Sequence, residues 1–562
     1  MKKRFRACEA CHSLKIKCEP STTDPSVCER CARSSLTCEP AARRWQRDRI
    51  AELEEEVKSL QKKLDGAGPS AQLLSPHGSS ARSISVVSIE GSDESSTPTG
   101  AFPSEPGHLT FLDARFDYES QLRCLEVYSR TAAGFWSIVS LLDGHSARPW
   151  LESLRREMPI TLGAIIGFTM SPTDAGVNPQ AQNDLRTKML EILGMAAVGL
   201  TDPSHDLAQA ALVTGLWTRV SLDGNHGNCI QIVRLAHDLG VELGFGGPAM
   251  QSSPPAWFSR ISGPLSLGMQ ETWVVSWVAS TVAAIQLRRP HDFNWSKSHH
   301  DALCALENNY SNPLFLEILS TVRLHADIAS VFKLCDLQSV DINSNLVIAT
   351  QARVRERVDE LSRRPLAGDA QLRFLRMLAT IYANEPVLHT DANKTLFGAP
   401  YVAARIGVHE FARPPLVTGT IEIALRTLVE ACHLAIDIVA CMDPSLILSL
   451  PSLYFGPAVS YTLSILVKVF VAVSAPGNTY SRVMSRNALR IREAIGKLVA
   501  VKASLLKLDP YMGNWNTRIV GSVEWLSAWL DNYEAIVERY EHNLQMEAAE
   551  RAIGGLSPHG HF

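Results

Sequence analysis

Six of the twelve cysteines fall between Cys8 and Cys38, and their spacing is Cys8-x2-Cys11-x6-Cys18-x9-Cys28-x2-Cys31-x6-Cys38, one half-motif written twice. Clustered thiolates are metal ligands, and a tetrahedral zinc ion takes four of them. A duplicated half-motif points to two ions. Eight ligand places are then needed, and six cysteines fill them only if two sulfurs bridge. Two zinc ions and six thiolates carry a formal charge of about −2, which neighbouring Lys and Arg side chains offset in part. Two other chemistries compete for the same residues. Disulfides need an oxidising compartment, and no charged-then-apolar leader opens the sequence, so a reducing compartment is expected. A ubiquitin-ligase ring needs eight ligands with histidine among them, and His12, adjoining Cys11, is badly placed for that. The remaining cysteines (Cys124, Cys229, Cys304, Cys335, Cys432, Cys441) lack ligand spacing and are expected to pack as small apolar residues.

The charge around the cluster differs from the rest. Residues 1–50 hold twelve Lys or Arg against six acids, a local charge of +6 in a chain whose net charge is −4, which leaves −10 elsewhere. A basic segment on an acidic body suits a polyanionic partner.

The elements after the cluster must position it. Ile50, Leu53, Val57, Leu60 and Leu64 fall on alternating a and d places of a heptad, with β-branched Ile50 and Val57 at a, which favours a short parallel two-stranded coiled coil and hence a homodimer. Arg49 and Glu54 are placed to pair across that coil, and Glu54 and Lys58 support each helix from within. The competing reading is an amphipathic helix packed on its own body. Residues 66–108 are dominated by Ser, Gly, Pro and Thr and read as a disordered linker, because too little apolar surface is present to offset ordering entropy. From about Leu109 apolar residues recur at helical spacing and strand alternation is scarce, so the body reads as all-helical. The division expected is 1–45 cysteine module, 46–65 linker and coil, 66–108 disordered linker, 109–545 helical regulatory domain and 546–562 flexible tail. The fold class is mainly α, and composition, with 46% hydrophobic and 20% charged residues, is enough for a large core.

Within the body no enzyme motif stands out: there is no P-loop, no G-x-S-x-G elbow and no H-E-x-x-H, so no catalytic residue is assigned. Gly244-Phe245-Gly246-Gly247 follows an apparent helix and lacks the third glycine of a dinucleotide fingerprint. His299-His300-Asp301 is read as a solvated helix end, since adjacent histidines point to different sides of a helix. The uncharged stretch Ser445 to Val467, interrupted by Pro451 and Pro457, suits a buried helical hairpin better than a membrane span. Trp273, Trp277 and Ile285 share one helix face, and Trp525, Trp529 and Tyr533 share another. Both read as core. Glu524, Asp531, Glu534 and Glu538 beside the second face leave an acidic-aromatic activation segment as the competing reading.

Residues 8 to 38 resemble the binuclear zinc-cysteine cluster of fungal transcription regulators. The resemblance implies that Cys8 and Cys28 bridge the metals, with Cys11, Cys18, Cys31 and Cys38 terminal. It also implies that the segment His12-Ser13-Leu14-Lys15-Ile16-Lys17 reaches DNA, with Lys15 as reader of a CGG-like triplet in the major groove and Lys17 as a phosphate contact. Many relatives carry Arg or Lys where this chain has His12 and Leu14. Arg30 and Arg33 are candidate phosphate contacts from the second half-motif, with exposed solvated arginine as the plain alternative. Stretches of the body, His205 to Leu212 leading to Trp217, Val233 to Gly240, Thr272-Trp273 running to Leu287-Arg288-Arg289-Pro290, and Leu450 to Tyr454 through Lys468, resemble the fungal-specific middle region of such regulators. They specify architecture better than mechanism.

The resemblance implies a nuclear, non-enzymatic, homodimeric regulator of RNA polymerase II transcription that binds double-stranded DNA, engages the transcription machinery and not a membrane, and activates rather than represses. It also implies control of a secondary-metabolite or nutrient-response gene set. The alternative is a helical ligand-sensing or scaffold protein whose zinc module mediates protein contacts.

Overall fold

The computed structural model describes residues 18, 27–33, 38, 107–136, 147–219, 229–247, 264–309, 312–336, 338–390, 393–402, 406, 417–474 and 479–554. The chain divides into two compact units, Met1–Thr99 and Gly100–Phe562. The expected coil over 46–65 and nearly all of the expected linker lie outside the described residues.

The larger unit is built from helices, as its periodicity requires. Among the described residues its one β feature is an isolated bridge between Arg219 and Asn514. Helix starts follow local chemistry. Asp117, Ser204, Ser266, Ser344, Asp369 and Thr418 each cap a helix by accepting a backbone N–H through the side chain. Each such cap satisfies an otherwise orphaned donor and is worth about 1 kcal/mol. Pro159, Pro179, Pro313 and Pro444 stand in the first turn, where proline's missing N–H costs nothing.

Packing then follows burial. Pro159–Phe168 is buried along its whole length and packs on His205–Leu216, which in turn packs on Cys229–Glu242. The last two helices approach closely at Gly215, where a Cβ would lie 2.6 Å from Val233 Cγ2. Any larger residue there must displace Val233. Leu267–Leu287 carries Trp273, Trp277 and Ile285 into the interior, as its sequence face suggests. Ala370–Asn384 packs on Gly419–Ala440, and the latter on Gly456–Ser474.

Gly456–Ser474 is long and apolar enough to cross a membrane, but 89% of its apolar window is buried inside the fold. The short helix Pro444–Ser449 precedes it but packs chiefly on Ile491–Leu508, so the uncharged stretch holds one buried helix rather than the expected buried hairpin. Of the scattered cysteines, Cys124, Cys335 and Cys432 are buried as small apolar residues; Cys229 and Cys304 are half-buried and Cys441 is exposed. Burial pushes the Cys124 thiol up to about 12, which keeps it protonated and inert.

Helix ends also settle two of the loops. The Gly244 stretch is a helix stop: Phe245 N–H donates to Gly240 O at 2.9 Å and Gly244 N–H to Val241 O at 3.0 Å, with Gly244 at φ +82°. This is the Schellman pattern, which uses a left-handed residue just past the helix. Leu267–Leu287 ends the same way, with Arg289 N–H to Ala284 O and Arg288 N–H to Ile285 O, but a non-glycine, Arg288, takes the left-handed position at φ +52°. The Arg288 side chain forms an ion pair with the fully buried Glu385, which also meets Tyr461 and His389. Direct coupling to Arg288 holds the Glu385 carboxyl below its usual range despite burial that pushes the other way.

Two further expectations need correction. His299 is not at a solvated helix end: only His300 and Asp301 are exposed, while His299 is 4% exposed and stacks on Trp273 at 4.7 Å. Its apolar surroundings come from Trp273, Trp277 and Trp295, which reach it from a neighbouring helix and from the connection before its own helix. The body also does not give way to tail at residue 546, since the Trp525–Gly554 helix runs on through Glu547-Ala548-Ala549-Glu550-Arg551-Ala552. Those residue types propagate a helix with little help from packing.

Candidate metal centre and nucleic-acid interface

In the smaller unit, a single helical turn from Glu29 to Arg33 does the positioning. Glu29 lies in its first turn and Arg30 and Arg33 in its last, which complements the helix dipole. Ala32 N–H donates to Cys28 O at 2.9 Å, closing the turn immediately after Cys28. The turn places Cys28 and Cys31 on one side, where both are fully buried, and Cys38 returns to them along the chain.

The sulfurs of Cys28, Cys31 and Cys38 all lie within 4.8 Å of one another. A zinc ion with four thiolates at about 2.3 Å sets its sulfurs about 3.8 Å apart, so the triad has the size of three corners of such a tetrahedron. Backbone N–H groups aim at two of them: Cys31 N–H donates to Cys28 Sγ at 3.4 Å and Cys28 N–H to Cys38 Sγ at 3.3 Å. Donors of this kind stabilise thiolate over thiol, and thiolate is the form that binds metal. Soft sulfur donors in a tetrahedral array fit zinc. Cys18 packs against the same cluster, half-buried. Cys8 and Cys11 lie outside the described residues.

Arg33 is largely exposed and its guanidinium pairs with Glu29 at 3.0 Å across one helical turn. An exposed pair of this kind is worth little, so Arg33 can exchange Glu29 for another anion at small cost. Arg30 is half-buried on the same turn. Lys15 and Lys17 lie outside the described residues, as do Ile50, Leu53, Val57, Leu60 and Leu64.

Residues 6–48 match the fungal Zn(2)-Cys(6) binuclear cluster domain. The chain carries that domain in its smaller unit. Three of the domain's cysteines form the triad just described, and the family to which the domain belongs is one of zinc-binding, DNA-binding transcription regulators. The match lies within the smaller unit and leaves its second half and the whole of the larger unit unmatched. No curated protein and no solved structure matches the chain.

Beyond Glu524, the C-terminal candidate segment lies on the last helix, Trp525–Gly554. Trp529 stacks on Tyr533 at 5.0 Å, and Tyr533 is buried against Phe470. Glu524 pairs with Lys502, and Asp531 and Glu534 both pair with Arg492. The aromatic face is core and three of its four acids are bound to the body, with Glu538 left exposed.

Proposed function

We propose that this protein is a sequence-specific DNA-binding regulator of RNA polymerase II transcription, and that it acts as a homodimer on paired CGG-like half-sites. The observation that carries the reading is the Cys28, Cys31 and Cys38 triad inside a stretch that matches the binuclear cluster domain. Two zinc ions per chain, with Cys8 and Cys28 bridging, would give the module its fold; the residues that hold them supply no reaction chemistry.

In this reading Lys15 reads base edges in the major groove while Lys17, Arg30 and Arg33 hold phosphates, which matches the division between contacts that specify and contacts that position. The +6 charge of residues 1–50 supports binding to a polyanion. Ile50, Leu53, Val57, Leu60 and Leu64 pair two chains and so set the spacing of half-sites. The helical body is regulatory and non-enzymatic, the protein works in the nucleus, and it recruits transcription machinery as an activator. Its gene set, of secondary metabolism or nutrient response, rests on the family alone.

Selection from random duplexes by the zinc-loaded full-length chain tests the proposal. Enrichment of two short GC-rich triplets at fixed separation is expected. Salt-sensitive binding with no enriched sequence would leave the scaffold reading, in which the zinc module contacts protein, as the better account.

A further inference from the structure

The body contains a cleft of about 460 Å³ between the helices Cys229–Glu242, Leu267–Leu287 and Lys297–Asn309 and the connection after Arg288. Its volume is in the range of small-molecule sites. The floor is buried and largely apolar, with Val233, Trp273, Trp277, Ala283 and His299, and the rim carries exposed Arg234, Asp238, Arg289 and Asp292.

The floor is built of stacked and hydrogen-bonded rings. Trp273 stacks with two imidazoles, His237 at 5.0 Å and His299 at 4.7 Å, both nearly parallel to it. Trp273 Nε1 donates to Ser298 Oγ and Trp277 Nε1 to Asn294 O, which fixes both indoles. Trp295 closes the far side of His299 at 5.1 Å.

His299 shows what the cleft asks for. Ser296 N–H, which can only donate, points at its Nδ1 at 3.3 Å, and Ser296 Oγ lies 2.7 Å from the same atom. Burial keeps the ring neutral, pushing it down to about 4. A neutral ring accepting at Nδ1 must carry its proton on Nε2. That Nε2–H is buried and has no hydrogen-bond partner among the described residues. Ser280 Oγ, His237 Nδ1 and His291 Nε2, on the same lining, are also buried without one. Such groups cost about 1 to 3 kcal/mol each when left unmade, so four of them on one lining call for polar partners from bound water or a ligand.

The three histidines do not form a metal site, since the one set of donor atoms within mutual ligating distance among the described residues is the cysteine triad. The unpaired group of His299 is a donor, which calls for a ligand oxygen that accepts. Arg234 and Arg289 at the mouth add positive charge with no ion pair to a described carboxylate within 4.0 Å, although Asp238 and Asp292 stand near them. We infer that this cleft binds a flat, mainly apolar small molecule bearing a carboxylate, with the acid oxygens taken by His299 and the rim arginines. The inference goes beyond the DNA-binding proposal and does not depend on it.

Calorimetry on the zinc-loaded full-length chain tests the inference, using a panel of aryl carboxylates from benzoate to 2-naphthoate and their matched amides. Saturable binding of at least one acid at one molecule per chain is expected, with its amide at least about tenfold weaker, the equivalent of one charge-assisted hydrogen bond. Arg234→Gln with Arg289→Gln, both at exposed positions, should weaken the acid about tenfold and leave the amide unchanged. His299→Phe, which keeps the stacked ring and removes the donor, should weaken both. Amides that bind as well as acids, rim substitutions without effect, or no saturable heat from any acid up to about 1 mM would each overturn the assignment.

Discussion

The backbone N–H of Cys28 points at the sulfur of Cys38, 3.3 Å away, while the sulfur of Cys28 itself accepts the N–H of Cys31 at 3.4 Å. Cys28 is proposed as the bridging ligand of this triad, and its substitution is the one that tests the arrangement. A segment as short as residues 1–45 offers few apolar residues in its sequence for a core, so metal binding and folding are expected to be one event. Native mass spectrometry should find two zinc ions per chain, and chelation should unfold the module. Cys28→Ser should lower occupancy of both sites, whereas Cys38→Ser should empty one. A single zinc per chain, or equal effects of the two substitutions, would reject the bridged arrangement.

Lys15 and Lys17 divide by what they touch. Lys15→Ala should relax base preference and cost roughly 1 to 3 kcal/mol on the selected duplex, because base-edge contacts carry discrimination. Lys17→Ala should weaken all duplexes alike and flatten the salt dependence by about one phosphate. Binding isotherms at several salt concentrations on cognate and scrambled duplexes separate the two, and equal loss of specificity from both substitutions would reject the assignment.

Val57→Lys places two lysines face to face at an a position of the proposed coil. Sedimentation of the full chain should shift from dimer to monomer, and cooperative binding to paired half-sites should disappear. Unchanged sedimentation and cooperativity would rule the coil out as the dimer contact.

Stability of the body should fall with pH below about 6.5. Burial pushes His205, His299 and His325 down to about 4, so between about 6.5 and 4 the unfolded chain takes up protons that the folded chain refuses. Each of the three then loses about 1.4 kcal/mol per pH unit. Asp206, which burial pushes up to about 6, and Asp327, also raised by burial, act in the opposite sense, but they are outnumbered, since burial lowers His237, His291, His389 and His433 as well. Urea midpoints followed by helical circular dichroism at pH 7.5 and 5.5 check this, and a midpoint that stays level or rises at 5.5 would contradict it.

The parts of this molecule legible in the sequence are those where local chemistry decides. Cysteine spacing marked the metal centre, because ligand geometry dictates spacing directly. The helical character of the body was legible in its apolar period, while the individual starts, at Pro159, Pro179 and Pro313 and at caps such as Ser204 and Ser266, were seen only in the structure. The cleft was not legible. Val233, Trp273, His291 and His299 come from three helices and a connection, and no spacing rule links residues that meet only after packing. His299 was misread for the same reason: its neighbour in sequence, His300, is exposed, and nothing local says that Trp273 will cover the other ring. The end of the last helix ran past its expected limit because intrinsic helix propensity carried it beyond the point where apolar periodicity fades.

DNA recognition is assigned to the smaller unit, and the chain's division at Thr99 and Gly100 offers the direct test. Anisotropy titrations of the selected duplex should be run in parallel with residues 1–99, loaded with zinc, and with residues 100–562. Sequence-specific binding by the first fragment, abolished by chelation, and none by the second is the predicted result. Specific binding by residues 100–562, with none by the zinc-loaded N-terminal fragment, would contradict it.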